Sequence, residues 1–263
     1  MKNKKFNDLK TGFKNLDCAL NGISKPCVIT VGARPCMGKT TFMISMLLNL
    51  LKQNKTCFYF SFGMSREQLV QRIFCSATET PISKLLNLDE DINKNERSKI
   101  ADNFEYFIEN VVESNLFISD EVVTVAEISE TIKKGKGYNY KPDVIFLDYL
   151  ELIPDQNETL TTKTILSEIK RIAKDNNCII FLASQLSRNL ENRKNKQPIL
   201  ADLKECLEYM SDIILFIYRD AYYVSYEYDK GRQKTEIIIA KNINSLPTTV
   251  KLKFKDEIPK FTD

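Results

Sequence analysis

The residues with the plainest chemical capacity in this chain sit in one run, ARPCMGKTTF (Ala33–Phe42). Gly38, Lys39 and Thr40 end it as G-K-T, the close of a phosphate-binding loop of the form G-x-x-x-x-G-K-[ST]. The loop's first glycine is missing: its place falls on Ala33, with Gly32 one residue too early. A strand precedes the run and a helix begins at Lys39, so amides at a helix start face outward, where they can cradle phosphate oxygens. Lys39 is placed to reach a β- or γ-phosphate, and the Thr40 hydroxyl to ligate Mg²⁺. A second group fits the same chemistry. The apolar run VIFLD ends on Asp148, a strand-end carboxylate suited to hold the ion's water shell. A strand-end aspartate alone is often only a turn former; beside a phosphate loop it pairs with Thr40 as the second metal residue.

Composition removes several competing chemistries. There is no histidine, which excludes imidazole bases, Ser-His-Asp triads and histidine metal sites. The seven cysteines form no C-x-x-C pair and read as thiols of a reducing compartment, not as zinc ligands or a disulfide framework. With 38 basic and 35 acidic residues the net charge is only +3, so a nucleic-acid site must come from a local cluster. The N-terminal lysines are not followed by an apolar segment, and no run is apolar enough to span a bilayer. The expected location is cytoplasmic, with no membrane partner.

The elements that must position these groups read as an α/β fold. Continuous apolar runs predict strands at Cys27–Ala33, Cys57–Phe62, Leu116–Asp120, Asp143–Leu150, Cys178–Leu186 and Asp212–Asp220. Helical patterns lie between them, including KTTFMISMLLNLLKQ, SREQLVQRIFCSA, VAEISETIKKG and TILSEIKRIAKD. Such alternation predicts a mostly parallel sheet with helices on both faces. AYYVSYEYDKGRQKTEIIIAK reads as two strands about a Lys-Gly turn and TTVKLKF as one more, predicting an antiparallel hairpin at the C-terminal edge. Loops are expected at Asn87–Glu96, Gly135–Pro142, Pro154–Thr162 and Ser187–Lys204. One domain over residues 1–263 is the expectation.

Several motifs in order resemble the motor domain of DnaB-type replicative DNA helicases. ARPCMGKTTF is similar to the family's alanine-first loop, and TGFKNLD (Thr11–Asp17) to its leading segment. FSFGMSREQLVQR resembles FSLEM-x-x-EQL, and DYLELI resembles DYLQLM. ASQLSRNLENRKNKQP, FIYRD and EIIIAKNINS also have family counterparts, so the likeness runs from Thr11 to about Phe261. It implies a RecA-like P-loop core, ATP or another NTP with Mg²⁺ between the subunits of a hexameric ring, and single-stranded DNA in the channel. The family's N-terminal collar domain is expected to be absent. The resemblance assigns nucleotide binding to Ala33, Arg34, Pro35, Cys36, Met37, Gly38, Lys39, Thr40, Thr41 and Asp148, and Mg²⁺ to Thr40 and Asp148. It makes Gln185 a γ-phosphate sensor and Lys241 a lysine presented to the neighbouring subunit; their bland counterparts are a strand-end amide and a solvated hairpin lysine.

The chain departs from the family where cleavage is carried out. The catalytic glutamate of FSLEM is Gly63 here, and a positioned general base contributes ~10²–10⁴-fold. Glu67 and Glu151 are near in sequence, but neither is an obvious substitute. The arginine finger of K-Q-R-N is Ile243, and fingers are worth roughly 10³–10⁵-fold. The DNA-facing D-L-R-E-S-G-S becomes DLKEC with Lys204, and E-I-S-R becomes TILS (Thr164–Ser167). Arg188, Arg193, Lys194, Lys196 and Lys204 still form a basic cluster, read equally as phosphate contacts or as a solvated loop. Two functions follow: a working ATP-driven helicase motor, or a hydrolysis-impaired paralogue that binds nucleotide and regulates an active helicase within a mixed ring.

Overall fold

The computed structural model describes residues 9–86, 94–121, 124–137, 140–153, 162–223, 234–255 and 257–263. In chain order the elements are α1 (Lys14–Leu20), β1 (Cys27–Ala33), α2 (Lys39–Leu51), β2 (Cys57–Ser61), α3 (Arg66–Thr78), α4 (Ile82–Leu86) and α5 (Lys94–Phe107). They continue as β3 (Leu116–Ser119), α6 (Val125–Gly137), β4 (Val144–Asp148), α7 (Thr162–Asn176), β5 (Ile179–Gln185), α8 (Glu205–Met210), β6 (Ile213–Tyr218), β7 (Lys234–Asn242), β8 (Thr248–Lys255) and β9 (Lys260–Thr262).

The strands form one nine-stranded sheet in the order β3-β2-β4-β5-β1-β6-β7-β8-β9. The pairs from β3 to β6 are parallel, and those from β6 to β9 are antiparallel. This is the mostly parallel sheet with an antiparallel C-terminal edge that the apolar runs predict. Alternation along the buried strands sends side chains to two cores. Ile29, Val31, Tyr59, Phe146 and Phe181 face one, with Phe42 and Leu47 of α2 and Leu69 of α3. Val28, Phe58, Ile145, Ile180 and Phe216 face the other, with Ile128 of α6, Ile169 of α7 and Leu207 of α8.

Local chemistry explains the helix starts near the site. Ser65 caps α3, its hydroxyl accepting from the Gln68 amide in a capping box. Gly38 opens α2 in the left-handed region. Helix α2 is apolar nearly all round because it is enclosed: it packs against the sheet and α3, and at the β9 edge the Phe261 amide donates to Ser45 Oγ at 2.9 Å.

The sequence expectations differ from the fold in several places: α1, α4 and α8 were not anticipated, and the strand expected to reach Leu150 ends at Asp148, a 3-10 turn following at Leu150–Leu152. Lys94–Glu96 begin α5 instead of ending a loop, and α5 as a whole was not legible because it buries few apolar side chains. Helix α6 extends to Gly137, past the expected loop start at Gly135. Asp220–Tyr223 form a 3-10 turn where a strand was expected; the rest of that strand and its Lys-Gly turn lie outside the described residues. Strand β9 was not anticipated. Most of the expected loop at Pro154–Thr162 also lies outside the described residues, with Thr162 starting α7.

None of the seven cysteines is in a disulfide. Burial pushes Cys27 up to about 12 and Cys75 up to about 11, so these are protonated packing groups. Among the described residues no helix is long and apolar enough to cross a membrane.

Candidate nucleotide site at the carboxyl edge of the sheet

Register brings the chemically capable residues to one edge. Ala33 pairs with Gln185, and Ser61 pairs with Asp148. The ends of β1, β2, β4 and β5 therefore open on the same side, where ligands bind in open α/β sheets.

The loop from Ala33 to Gly38 is tied at three points. Ala33 is fully buried, and its carbonyl accepts from the Leu186 amide at 3.1 Å. Arg34 turns away from the loop: Nε donates to Glu191 at 2.9 Å and a terminal nitrogen donates to the Leu186 carbonyl at 2.8 Å. The Cys36 carbonyl accepts from Arg219 at 3.5 Å. Met37 is buried beneath, whereas Pro35 and Cys36 are exposed at the tip. Gly38 has φ +89°, and a Cβ there would stand 3.1 Å from the Phe254 ring and 3.2 Å from Phe261. Gly38→Ala is expected to lower stability by about 1–2 kcal/mol, the cost of a left-handed L-residue. A denaturant midpoint indistinguishable from the parent's would show that the loop relaxes freely.

Behind the loop, one carboxylate organises two hydroxyls. Asp148, 5% exposed, accepts on Oδ2 from Thr40 Oγ1 at 2.7 Å and from the Tyr59 hydroxyl at 2.9 Å. Burial first, then the Asp148 charge and hydrogen bond, hold the Tyr59 hydroxyl well above the usual tyrosine range, so it remains a donor. Asp148 Oδ1 is buried without a partner. A buried carboxylate oxygen left open beside a threonine hydroxyl fits a hard divalent cation that takes few protein ligands and keeps its waters. Thr41 is buried, its carbonyl accepting from Ser45 Oγ at 2.9 Å, so it anchors the helix start.

Lys39 stands with its ammonium 4.5 Å from the Tyr149 ring centroid. Burial lowers its pKa, and the nearby charges of Asp148 and Glu151 oppose that shift. A phosphate arriving here meets a partly desolvated cation, whose attraction is stronger than it would be in water.

Gln185 ends β5 at this edge, its amide donating to Glu151 Oε1 at 3.1 Å. Lys241 does not join the group. It pairs with Ile214 of β6, which pairs with Thr30, three residues short of the loop end at Ala33. At a strand rise of ~3.3 Å per residue, that sets it roughly 10 Å back along the sheet. Its ammonium donates to the Glu208 carbonyl at 2.7 Å. Ile243 lies beyond it on the β7–β8 turn, 62% exposed. That turn is stitched to the end of α1 by Asn242 to the Leu20 carbonyl, Asn244 to Gly22 and Ser245 to Ala19.

The Ser187–Lys204 segment is pinned as well as basic. Two 3-10 turns span Arg188–Asn192 and Leu200–Asp202, Leu190 is fully buried, and Arg193 is paired with Asp202 at 2.7 Å. Lys196 lies over the Tyr223 ring, whereas Arg188, Lys194 and Lys204 are exposed. Sequence reasoning missed Tyr59 as a partner of Asp148; a hydroxyl inside a wholly buried strand was the available signal. It also passed over Glu151.

A family model described as "DnaB-like helicase C terminal domain" matches residues 8–263. A probable replicative DNA helicase of Trieres chinensis is 34% identical over 97% of this chain and 57% of its own length. The replicative DNA helicase DnaB of Pasteurella multocida is 33% identical over 96% of this chain and 55% of its own length. The chain thus spans little more than half the length of these relatives. Among solved structures, a DnaB-like replicative helicase, solved in work on its interactions with primase, superposes with a TM-score of 0.87 at 28% identity, over 96% of this chain and 61% of that one. A structure of an ATPase domain gives 0.87 at 28% identity, covering 97% and 90%.

Proposed function

The chain belongs to the DnaB-like helicase C-terminal domain family, and from that premise we propose that it is the ATP-driven motor of a replicative DNA helicase. The observation that carries this reading is the Thr40–Asp148 contact at 2.7 Å behind the Gly38 loop, with Asp148 Oδ1 buried and open. Amides from Gly38 to Thr41 would take the phosphates, Lys39 would neutralise them, and Thr40 with Asp148 would hold Mg²⁺. The ion, when bound, would neutralise charge on the β- and γ-phosphate oxygens. Gln185, on the same edge, would read the γ-phosphate.

Lys241 and Ile243 support a ring. Lys241 lies back along β7 from the chain's own loop and Ile243 is exposed on the following turn, which is bonded to the end of α1, so they would serve a neighbour's nucleotide. Six subunits acting in the cytoplasm on single-stranded DNA is the arrangement proposed. Arg188, Lys194 and Lys204 are the exposed cations available to its phosphates.

The test is Mg²⁺-ATP binding and turnover with and without single-stranded DNA. Micromolar binding with DNA-stimulated turnover is expected; failure to bind nucleotide would sink the reading. A second reading, nucleotide binding with little hydrolysis in a regulatory subunit, is favoured by Gly63 and by the exposed apolar Ile243. Tight binding with turnover near background would select it.

A further inference from the structure

Gly63 stands where the family resemblance places a catalytic glutamate, and the turn that bears Glu151 packs against it. The Phe62 amide donates to the Asp148 carbonyl at 2.8 Å, so the end of β2 runs beside the turn that follows β4. A Cβ on Gly63 would lie 3.1 Å from the Tyr149 ring and 3.2 Å from Leu152 Cδ1. Tyr149 precedes the 3-10 turn Leu150–Leu152 and Leu152 ends it, and the turn carries Glu151 between them.

Glu151 is half-buried and held at one oxygen. Oε1 accepts from Ser184 Oγ at 2.7 Å and from the Gln185 amide at 3.1 Å. Oε2 is buried without a partner. The carboxylate's charge acts on Lys39, and its fixed oxygen ties it to the strand end bearing Gln185. A buried carboxylate oxygen with no donor is costly and persists where something else occupies it. With Lys39 on one side and Gln185 on the other, the occupant that fits is a water molecule at the end of a bound triphosphate.

We propose that Glu151 is the catalytic carboxylate of this chain, replacing the glutamate absent at position 63. The inference rests on the reading of the chain as an ATP-dependent motor. Glu151 Oε2 accepts a proton from the attacking water as the water oxygen bonds to the γ-phosphorus. The bond from that phosphorus to the bridging oxygen breaks, its electron pair leaving on ADP. The proton then passes from Glu151 to solvent, giving ADP, phosphate and one proton per turnover.

Glu151→Gln separates this role from support of the strand end. The amide keeps an oxygen acceptor for Ser184 and Gln185 but cannot take a proton, whereas Glu151→Ala loses both functions. Single-turnover hydrolysis should fall ~10²–10⁴-fold in Glu151→Gln. Equilibrium affinity for a fluorescent ATP analogue with Mg²⁺ should stay within about threefold, and nucleotide recovered by acid quench should be ATP where the parent yields ADP. Adding Gly63→Glu to Glu151→Gln should restore turnover, with the Tyr149 ring shifting slightly to admit the new side chain. If Glu151→Gln cleaves ATP at the parent rate, the proposal fails and the motor reading stands. If the parent itself binds ATP without cleaving it, Glu151 is no base and the regulatory reading replaces the motor one. If the parent binds no nucleotide, both fall.

Discussion

Asp148→Asn should leave the fold intact and remove the Mg²⁺-dependent part of nucleotide binding. In the free protein the substitution is nearly isosteric. An asparagine oxygen still accepts from Thr40 and Tyr59, and the new amide occupies the position where Oδ1 stands unpaired. The Lys39 ammonium loses the stronger of the two carboxylate charges that favour it and keeps that of Glu151, so stability without ligand should fall only slightly. The bound state differs. A ligand at a hundred times its Kd stabilises by ~2.7 kcal/mol, which in a domain of this size raises Tm by roughly 5–10 °C, at about 2–4 °C per kcal/mol. That rise should be present in the parent with Mg²⁺-ATP, and all but absent in Asp148→Asn. Turnover should fall by ~10²-fold or more with the loss of a fixed charge at the phosphates. A parent-sized thermal shift in the variant would show that Asp148 does not hold the ion.

Ile243→Arg should raise DNA-stimulated turnover by ~10³-fold or more once subunits assemble, since an arginine that meets developing phosphoryl charge is worth about 10³–10⁵. The position accepts the change. Ile243 is 62% exposed on a turn whose backbone is fixed by Asn242, Asn244 and Ser245, so a guanidinium there stays hydrated in the monomer. Monomer stability should move by no more than about 0.5 kcal/mol. Lys241 cannot fill the role while its ammonium is committed to the Glu208 carbonyl, and a lysine lacks the planar fork of arginine. Because the turn lies back from the chain's own loop, the gain should depend on protein concentration and vanish in dilute monomer. In rings mixed with an active relative, the parent should depress unwinding by withholding its finger from a neighbour, and Ile243→Arg should relieve that depression. Equal turnover of parent and variant in assembled rings would remove Ile243 as the deficient position.

The sites of these two predictions were legible in the sequence to different degrees. The loop, Thr40 and Asp148 could be read directly because each is a local pattern: a buried strand, a G-K-T at a helix start, an aspartate closing an apolar run. Strand β1 matches its expected bounds to the residue, since seven buried residues between turn signals permit little else. The polar helix α5 and the three-residue β9 gave no such signal. Strand β9 exists because β8 supplies a partner and α2, some two hundred residues earlier, an apolar face.

Glu151 marks the boundary most sharply. In sequence it falls just past the expected strand Asp143–Leu150, three residues beyond Asp148, with nothing to set it apart from Glu67. In the fold, Glu67 lies exposed on the first turn of α3, while a 3-10 turn swings Glu151 onto the end of β5, beneath Gln185 and within the field of Lys39. The sequence by itself determined the fold class and the family, and nominated the phosphate and metal residues proposed above, because those follow from periodicity and from motifs a few residues long. Only the tertiary structure decided that Glu151 is held against the strand end bearing Gln185, and that Lys241 sits back along the sheet from its own loop. Both depend on strand register, which sets distances between residues that chain order keeps far apart.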